Sequence, residues 1–474
     1  MSGYWLALDQ GGHAGRAMAF DESGQLLAEE SRDVATHEPA AGWFEQDPEA
    51  VVRSLTEPLA AVTSMLRNQR CLGAGLATQR SSIACWDRTS GEALSPVISW
   101  RDTRRADWLE ALALDEDWIR EKTGLRVSAH YGASKLRWCL DELPAVRQAQ
   151  LDGRLAFGPL ASFLSFRLTR ERTLAADPAN ASRTLLWDLA ERRFSNELIE
   201  RFGLPAEALP PPAPLATPLG TLDVDGTPAL RLVTGDQSAA LFAGGDPHPD
   251  DIFINAGTGA FVLRLGTWPN EAQRLLTSLV AEGRDGPRYA MEGTVNAAGS
   301  ALDAVATELG IPDGVKRLDE FDQAIEDPPV YLNGRSGLGS PWWQPVLASG
   351  WLDPGTPEAR LLGVLESVVF ALQTNIELIT RHTGGARRIV LGGGLSRSRA
   401  FARRLADLSG LPVVRPAVSE ATGLGLAFLV SGGTIPCGEE DSSEPVLGEP
   451  CPALSERYRR WRAEMARATG LDPV

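Results

Sequence analysis

Short apolar runs separated by turn residues make up the first 35 positions of the chain. Residues 4–10 (YWLALDQ) form an apolar run that contains an acid near its end, and two glycines follow at once. This pattern predicts a β-strand ending at Asp9, a glycine turn, and two further strands around a second turn at residues 21–24. Residues 47–66 have the apolar spacing of an amphipathic helix and open with aspartate and proline, which are typical helix start signals.

The same sequence of strand, glycine turn and strand recurs at residues 251–267. A long apolar helix is predicted at residues 359–384, and a short strand at 387–391 leads into three more glycines. The weak repeat indicates two domains that each begin with a glycine-turn hairpin. We expect an N-terminal domain at 1–245 and a C-terminal domain at 246–474.

Composition and charge exclude several classes of protein. The chain has 474 residues, a length that suggests two domains, and its formal net charge is −16. An acidic surface repels phosphate backbones and anionic lipids, so we expect neither nucleic acid nor membrane as a partner. The chain begins without a basic segment or a long apolar run and has no C-x-x-C spacing. We therefore expect a cytoplasmic protein without a signal peptide, structural zinc or a disulfide framework.

Three glycine turns and two acids are the candidate chemistry. Each turn follows an apolar strand, and glycines let backbone N–H groups approach a phosphate closely. The turns are Gly11-Gly12, Gly257-Thr258-Gly259 and Gly392-Gly393-Gly394. None matches the P-loop or dinucleotide-binding pattern. Asp9 and Asp236 end apolar strands, where a carboxylate must be solvated, hydrogen-bonded or paired with a metal. One can organise Mg²⁺ and the other can deprotonate a substrate hydroxyl.

Nine motifs in order resemble the FGGY carbohydrate kinases, and most closely the glycerol kinases among them. They are LALDQGGHAGRAMAFD, GWFEQDP, GLATQRSSIACWDRTSGEALSPVISWRDTR, HYGASKLRW, NASRTLLWD, TGDQSAAL, NAGTGAFVL, GLGSPWW and LGGGLSRSRAF. The resemblance runs from about Leu6 to Ala427. It implies an α/β fold of two ribonuclease-H-like domains, as in actin and hexokinase, with ATP and substrate in the cleft between them. The domain at 1–245 would lie on the substrate side and the domain at 246–474 on the nucleotide side. It also implies Mg²⁺-dependent phosphorylation of a terminal hydroxyl of a small polyol or ketose sugar.

The resemblance assigns roles to individual residues. Asp236 matches the catalytic base and Asp9 the carboxylate near the metal. Substrate positions are matched by Arg80, Ser81, Trp100, Tyr131, Asp236, Gln237 and Phe261. Nucleotide positions are matched by Gly11, Gly12, His13, Arg16, Gly257, Thr258, Gly259, Gly299, Asp303, Gly393, Gly394 and Ser398.

The chain departs from the glycerol kinase pattern at several of these positions. Gly12 and His13 stand where two threonines supply hydroxyls to phosphate, and His13 is either a substitute donor or an exposed loop residue. Asp303 occupies a position near the nucleotide where the glycerol kinases have a glutamine, and Gly392 occupies one where they have an aspartate. Ser81 replaces an acid that binds glycerol hydroxyls.

Serine at position 81 leaves a gap beside Arg80 and removes the charge that balances its guanidinium. A larger or acidic acceptor would fill this gap. Alternatively, water fills it and glycerol binds more weakly.

Two functions remain open from the sequence. The first is an ATP-dependent kinase of a polyol or ketose with three to five carbons. The second is a catalytically weak or inactive protein of this fold that binds nucleotide or sugar as a regulator, which the altered first phosphate turn motivates. A small-molecule partner is expected in both cases, and a homodimer is the assembly to test.

Overall fold

The computed structural model describes residues 3–213, 218–226, 228–266, 274–283, 286–415, 420–436 and 444–472. The chain divides into two compact units that are not contiguous in sequence. The first unit comprises Met1–Pro247, Thr277–Tyr289 and Val418–Gly438. The second unit comprises His248–Leu276, Ala290–Ala417 and Glu439–Val474.

Elements up to residue 247 belong to the first unit. The strands are β1 (Gly3–Gln10), β2 (Ala14–Asp21), β3 (Leu26–Asp33), β4 (Glu45–Gln46), β5 (Arg70–Thr78), β6 (Ile83–Asp87), β7 (Val97–Ile98), β8 (Leu155–Pro159), β9 (Trp187–Asp188), β10 (Arg193–Phe194) and β11 (Leu230–Gly235). The helices are α1 (Pro48–Met65), α2 (Ala106–Ala111), α3 (Glu116–Thr123), α4 (Gly132–Glu142), α5 (Pro144–Leu151), α6 (Leu160–Leu168), α7 (Pro178–Ala181), α8 (Asn196–Arg201) and α9 (Asp236–Ala240).

Later elements follow in the rest of the chain. The strands are β12 (Asp251–Ala256), β13 (Ala260–Gly266), β14 (Leu276–Gly283), β15 (Gly286–Val295), β16 (Tyr331–Leu332), β17 (Gly350–Trp351), β18 (Arg388–Gly392) and β19 (Val413–Val414). The helices are α10 (Gly299–Glu308), α11 (Leu318–Ala324), α12 (Pro357–Thr383), α13 (Arg399–Ser409), α14 (Ala421–Val430) and α15 (Pro452–Thr469).

A five-stranded mixed sheet forms the centre of the first unit, with the strand order β11-β5-β1-β2-β3. The hairpin strands β1, β2 and β3 are antiparallel, whereas β5 and β11 run parallel to β1. Parallel neighbours need crossover connections, which here are long segments containing helices. The carboxyl ends of β1, β5 and β11 therefore lie together at one edge of the sheet.

Helices cover both faces of this sheet. Leu6 and Leu8 of β1 lie on the same face of the sheet, because every second residue of a strand does. There they pack in a core cluster with residues of α1 and α6. Helix α14 comes from the late segment of the unit and packs against β1, β5 and α9. A Cβ added at Gly425 of α14 would lie only 1.9 Å from the carbonyl oxygen of Ala239 in α9. Only glycine permits this approach, which fixes α9 and its first residue, Asp236.

The second unit repeats the arrangement of a hairpin beside parallel strands. Strand β12 is antiparallel to β13 and parallel to β18, and β18 is parallel to β19. Helices α10, α12 and α13 bury their apolar faces in one cluster with β12 and β18. Helix α15 forms a further cluster, in which Tyr458 and Trp461 pack against Phe370 of α12.

The long helix α12 is the one helix in the described ranges with the length and apolar content to cross a membrane. Its most apolar window is 89% buried inside the fold, so the apolar residues serve the core of the second unit. Thr356 caps the helix by accepting from the Ala359 amide, and Gly384 ends it.

The predicted α/β class is confirmed, and both glycine-turn hairpins are present. Thr267, the last residue predicted for the second hairpin, lies outside the described residues. Several strand ends differ by a residue: β1 continues to Gln10, β18 continues to Gly392, and β11 ends at Gly235, so that Asp236 already belongs to the first turn of α9.

Replacement of Glu366 should strongly destabilise the second unit. This carboxylate is 1% exposed and lies between two arginines, with Arg457 Nη2 at 2.6 Å and Arg404 as its second partner. In Glu366→Gln the charge is lost and both guanidiniums stay buried, so we expect a loss of about 3–5 kcal/mol in the free energy of unfolding. Chemical denaturation followed by tryptophan fluorescence measures it. Glu358→Gln, on the less buried first turn of the same helix, is the control, and a loss for Glu366→Gln no larger than the control's would contradict the prediction.

Candidate active site

Three parallel strands of the first unit end beside one another, and each carries a candidate functional residue. Asp9 of β1 is in register with Ala77 of β5, and Thr78 of β5 is in register with Gly235 of β11. Arg80 comes two residues after Thr78, and Asp236 comes directly after Gly235. Backbone register alone thus gathers the candidate metal ligand, substrate arginine and base.

Asp9 is held where its charge is unfavourable. Burial, and next the negative charge of Asp236, raise the pKa of Asp9 to about 7, while Arg16 acts in the opposite direction. Asp9 Oδ1 is fully buried and has no hydrogen-bond partner among the described residues. A carboxylate oxygen in this state suits a divalent cation, since the cation would offset both the burial and the repulsion from Asp236.

Arg16 lies opposite Asp9 across the β1–β2 hairpin and forms an ion pair with Glu420. Glu420 immediately precedes α14 and comes from the late segment of the first unit. Sequence reasoning missed Glu420 because the two residues are 404 positions apart. The ion pair positions the guanidinium while leaving more than a third of the Arg16 side chain exposed for an anionic ligand.

Asp236 begins α9, and its Oδ1 accepts a hydrogen bond from the Gln237 amide at 2.7 Å. Burial raises its pKa, and the nearby Arg80, the Gln237 amide and Arg183 oppose the rise. A base whose pKa is raised toward neutrality is better matched to accepting a hydroxyl proton. The geometry is therefore compatible with the predicted role of Asp236.

Arg80 passes directly over the strand end that precedes Asp236. A Cβ at Gly235 would lie 2.7 Å from Arg80 Cγ and Cδ, so glycine is needed there. The guanidinium donates through Nη2 to Gln237 Oε1 and also lies near the Asp236 carboxylate. The sequence argument that Ser81 leaves Arg80 without a compensating partner is therefore wrong, because Gln237 and Asp236 supply polar and charged partners.

Ser81 itself is strained and buried. Its φ is 65°, in the left-handed region that non-glycine residues seldom adopt, and its side chain is 4% exposed. Its hydroxyl has no hydrogen-bond partner within the described ranges. Such outliers persist where the surroundings enforce them, which is typical of ligand sites.

An aromatic wall accompanies these polar residues. His130 packs at 5.6 Å from Trp100 and at 5.0 Å, edge to face, from Tyr131, measured between ring centroids. The Arg183 guanidinium lies 5.2 Å from the Tyr131 ring centroid, and its Nη1 donates to Ser278 Oγ at 2.9 Å. Trp100 is 36% exposed, so one aromatic surface of this wall is accessible. His130 and Arg183 were not among the predicted site residues.

The first glycine turn is braced by glutamines. Gln46 Nε2 donates to the Gly12 carbonyl at 2.9 Å, and Gln79 Nε2 donates to Gln46 Oε1 at 3.0 Å. Gly11 N–H closes the hairpin onto the Ala14 carbonyl. His13 is exposed, which keeps both sequence interpretations of it open.

Several buried polar atoms at this sheet edge share one property. Each has no hydrogen-bond partner among the described residues, although buried polar groups normally have one. They are Asp9 Oδ1, Gln79 Oε1, Ser81 Oγ, Thr234 Oγ1 and Ser238 Oγ. Their concentration where β1, β5 and β11 end is compatible with a polar ligand at this edge.

Two glycine turns of the second unit also lie at adjacent strand ends. Asn255 of β12 is in register with Gly392 of β18, so the turns that follow them are neighbours. Gly393 has a φ of 85°, and a Cβ there would meet the Ala256 carbonyl at 2.5 Å. Gly299 donates to the Gly257 carbonyl and leaves no room for a Cβ, at 2.6 Å from the same oxygen. Thr258 and Gly259 thus sit against the start of α10, whose first amides, at Gly299 and Ser300, donate to the Gly257 and Thr258 carbonyls and hold the turn in place.

The remaining predicted residues occupy defined places in the second unit. Asp303 is exposed on α10, and Gly394 begins a short 3₁₀ turn. Ser398 caps α13 by accepting from the Phe401 amide, and its hydroxyl donates to Asp319 Oδ1 at 2.9 Å. Phe261 is half-buried on β13, in register with Asn255. Roles of these residues toward nucleotide or substrate remain predictions.

Comparison with known proteins identifies what these two units are similar to. Residues 4–225 match the model of the N-terminal domain of the FGGY family of carbohydrate kinases, and residues 252–431 match its C-terminal domain. A curated glycerol kinase of Alcanivorax borkumensis is 32% identical over 98% of both chains.

Solved structures agree on the fold. A Plasmodium falciparum glycerol kinase with ADP has a TM-score of 0.89 at 20% identity and 99% coverage of both chains. A ligand-bound xylulose kinase from Lactobacillus acidophilus has a TM-score of 0.86 at 17% identity, again over 99% of both chains. The predicted two-domain fold of the actin and hexokinase type is thereby confirmed.

Substitution of Asp9 should stabilise the metal-free protein in a pH-dependent way. Because the pKa of Asp9 is raised in the folded state, protonated Asp9 stabilises the fold at low pH. This contribution to the free energy of unfolding is lost as the pH rises through about 7. Asp9→Asn stays neutral throughout, so its stability advantage over wild type should grow by about 2 kcal/mol between pH 5 and pH 8. Thermal unfolding in EDTA measures this, with the exposed Asp33→Asn as control. An advantage independent of pH would contradict the burial of the Asp9 charge.

Proposed function

The chain belongs to the FGGY family of carbohydrate kinases, it is an ATP-dependent kinase of a polyol or sugar, and we propose how its own residues perform that reaction. The observation that carries the proposal is the convergence of Asp9, Arg80, Ser81 and Asp236 at the ends of three parallel strands. Nothing in the comparisons favours the inactive regulator considered from the sequence. The acceptor is inferred to be a terminal hydroxyl of a polyol or ketose of three to five carbons.

Asp236 acts as the base in this proposal. It takes the proton from the acceptor hydroxyl as the oxygen attacks the γ-phosphorus, while the bond from the γ-phosphorus to the β–γ bridging oxygen breaks and ADP leaves. Its raised pKa favours uptake of the proton. Arg80, Ser81, Gln237, Trp100 and Tyr131 orient the acceptor, and Phe261 is the remaining acceptor residue that the family resemblance assigns.

Backbone amides of the glycine turns hold the phosphates. In the first unit, Gly11 and Gly12 form one turn, and Arg16 beside it supplies a positive charge. In the second unit, Thr258 lies against the start of α10, and Gly393 lies against β12. A side chain at Gly299 or Gly393 would collide with backbone, so both positions require glycine. Turns built of glycine let backbone N–H groups approach an anion closely.

Mg²⁺ fits the residues of the first unit. The unsatisfied Asp9 oxygen and the repulsion between Asp9 and Asp236 are the features that a divalent cation would relieve. Asp9 would hold the ion through its waters, and the ion supplies positive charge that offsets charge developing on the phosphates. We infer a cytoplasmic location and a small-molecule polyol or sugar as the partner.

Asp236→Asn tests the base. It removes the proton acceptor and keeps the size of the side chain, so kcat should fall about 10²- to 10⁴-fold while acceptor binding changes little. A coupled assay of ADP release over a panel of polyols, ketoses and sugar acids identifies the acceptor and then measures the variant. Asp223→Asn, an exposed acid paired with Arg170 in the same unit, is the control. Near-full activity of Asp236→Asn would show that another group takes the proton.

Ser81→Glu tests acceptor choice. The restored carboxylate would lie in the pocket of Arg80 and accept hydrogen bonds from adjacent hydroxyls of glycerol. The ratio of kcat/KM for glycerol to that for the preferred larger acceptor should rise about 10-fold or more. Ser81→Ala adds no carboxylate and should leave the ratio low. If wild type already prefers glycerol to every larger acceptor on the panel, the inference from Ser81 is wrong, although the kinase assignment stands.

A further inference from the structure

Lys135 is a fully buried charge that the proposed mechanism does not use. Lysine is seldom buried without compensating partners, yet this side chain in α4 is 0% exposed. The chain has 46 lysines and arginines together, of which three are lysines: Lys122, Lys135 and Lys316. A chain that otherwise relies on arginine thus places an ammonium group in one of its most enclosed positions.

Three backbone carbonyls surround the Lys135 ammonium group. Nζ donates to the His130 carbonyl at 2.7 Å, to the Ser99 carbonyl at 2.9 Å and to the Ser81 carbonyl at 3.4 Å. Among the described residues, its hydrogen bonds go to these three oxygens alone. An ammonium group has three donors, so each proton is matched to one acceptor. Arginine, with a planar fork of five donors, does not offer this compact geometry.

Each carbonyl belongs to a segment that carries a proposed acceptor-binding residue. The first is Ser81 itself, and the other two immediately precede Trp100 and Tyr131. The three segments come from the β5–β6 turn, the end of β7 and the start of α4. A second link joins two of them, because the Trp100 amide donates to Ser82 Oγ at 3.0 Å.

The Ser81 contact also explains how an unfavourable backbone is maintained. Ser81 has the positive φ described above, and a turn with this geometry persists only where other contacts hold it. Lys135 supplies one such contact at the Ser81 carbonyl. Loss of the ammonium would therefore leave a buried carbonyl without its donor and weaken the constraint on the turn.

The electrostatic surroundings show that the charge is costly to keep. Burial lowers the pKa of Lys135 to about 7, the buried Asp102 carboxylate opposes this shift, and Arg104 adds to it. Asp102 is itself paired with Arg104 at 2.8 Å. The lysine is thus not placed there to neutralise an otherwise unpaired acid, and its hydrogen bonds to the three carbonyls are its distinctive contribution.

We propose that Lys135 is a positioning residue for the phosphoryl acceptor: its ammonium group ties the three segments bearing Ser81, Trp100 and Tyr131 into one rigid acceptor-binding surface. This inference rests on the proposed function, since the acceptor roles of those residues come from it. Lys135 does not touch the acceptor. It acts through the backbone of residues that do.

Lys135→Met tests the proposal with the acceptor found on the panel. Methionine keeps much of the length and removes all three donors. We expect the KM for the acceptor to rise at least 10-fold while the KM for ATP stays within about twofold, because no glycine-turn residue bonds to Lys135 in the described chain. Leu136→Ala is the matched control. It removes a buried side chain from the same helix, so it should lower the melting temperature and leave both KM values unchanged.

The outcomes distinguish a failure of the proposed kinase function from a failure of the positioning role of Lys135. If wild type shows no acceptor-dependent ADP release, the proposed function fails. If wild type turns over the acceptor but Lys135→Met and Leu136→Ala both lose only thermal stability, the role of Lys135 is merely structural and the positioning proposal is overturned. A rise in acceptor KM confined to Lys135→Met supports it.

Hydrogen exchange on the wild-type protein decides the matter if Lys135→Met does not fold. Saturating acceptor should slow amide exchange together in the segments around residues 80–82, 98–100 and 129–131, because one ammonium group joins them. Ser82→Ala, which removes the link from Ser82 to Trp100, should reduce this protection mainly in the second segment. Protection of one segment alone in the wild type would overturn the proposal.

Discussion

The parallel register of β1, β5 and β11 is the constraint on which the rest of the site depends. Three strands that run the same way end at one edge, so whatever follows each strand must lie beside the others. The chain uses this edge for Asp9, for the turn with Arg80 and Ser81, and for Asp236. Unfavourable features accumulate there, including two mutually repelling carboxylates and a strained serine. Neighbouring glutamines, glycines and one buried lysine hold these residues in place through hydrogen bonds and close packing.

The second unit repeats this sheet arrangement, and in the proposed function it serves a different ligand, the phosphates of ATP. Its hairpin and parallel strands also end in turns at one edge, but these turns carry glycines rather than acids and aromatic residues. Side chains are excluded where backbone amides approach a phosphate, whereas side chains are required where hydroxyls of an acceptor are recognised. Under the proposed function, one sheet design serves two kinds of recognition through the residues placed after its strands.

Local pattern was sufficient to predict the elements that bear the site, and it failed where contacts are distant. The hairpin with Asp9 and the glycine turns follow from apolar spacing and turn residues that are close in sequence, and so does the core helix α12 outside the site. The pair Arg16–Glu420 could not be read in this way, because Glu420 reaches Arg16 only after the intervening chain has folded. Arg80 was expected to lack a partner because Gln237 lies on α9, 157 positions away along the chain. Lys135 carried one signal, a lysine among apolar positions in an arginine-rich chain, but its three carbonyl partners are set by tertiary structure.

The late return of α14 to the first unit has a consequence for biosynthesis. Domains generally fold from the N-terminus as the chain emerges from the ribosome, at about 5–20 residues per second. Here α9 receives its close neighbour α14, and Arg16 receives Glu420, only once residues 420–430 have been made. The nascent first unit therefore has its sheet early but its α9 contact late. Premature termination of translation before this point would release a chain in which α9 and Asp236 lack their contact with α14, so the proposed role of Asp236 requires near-complete synthesis.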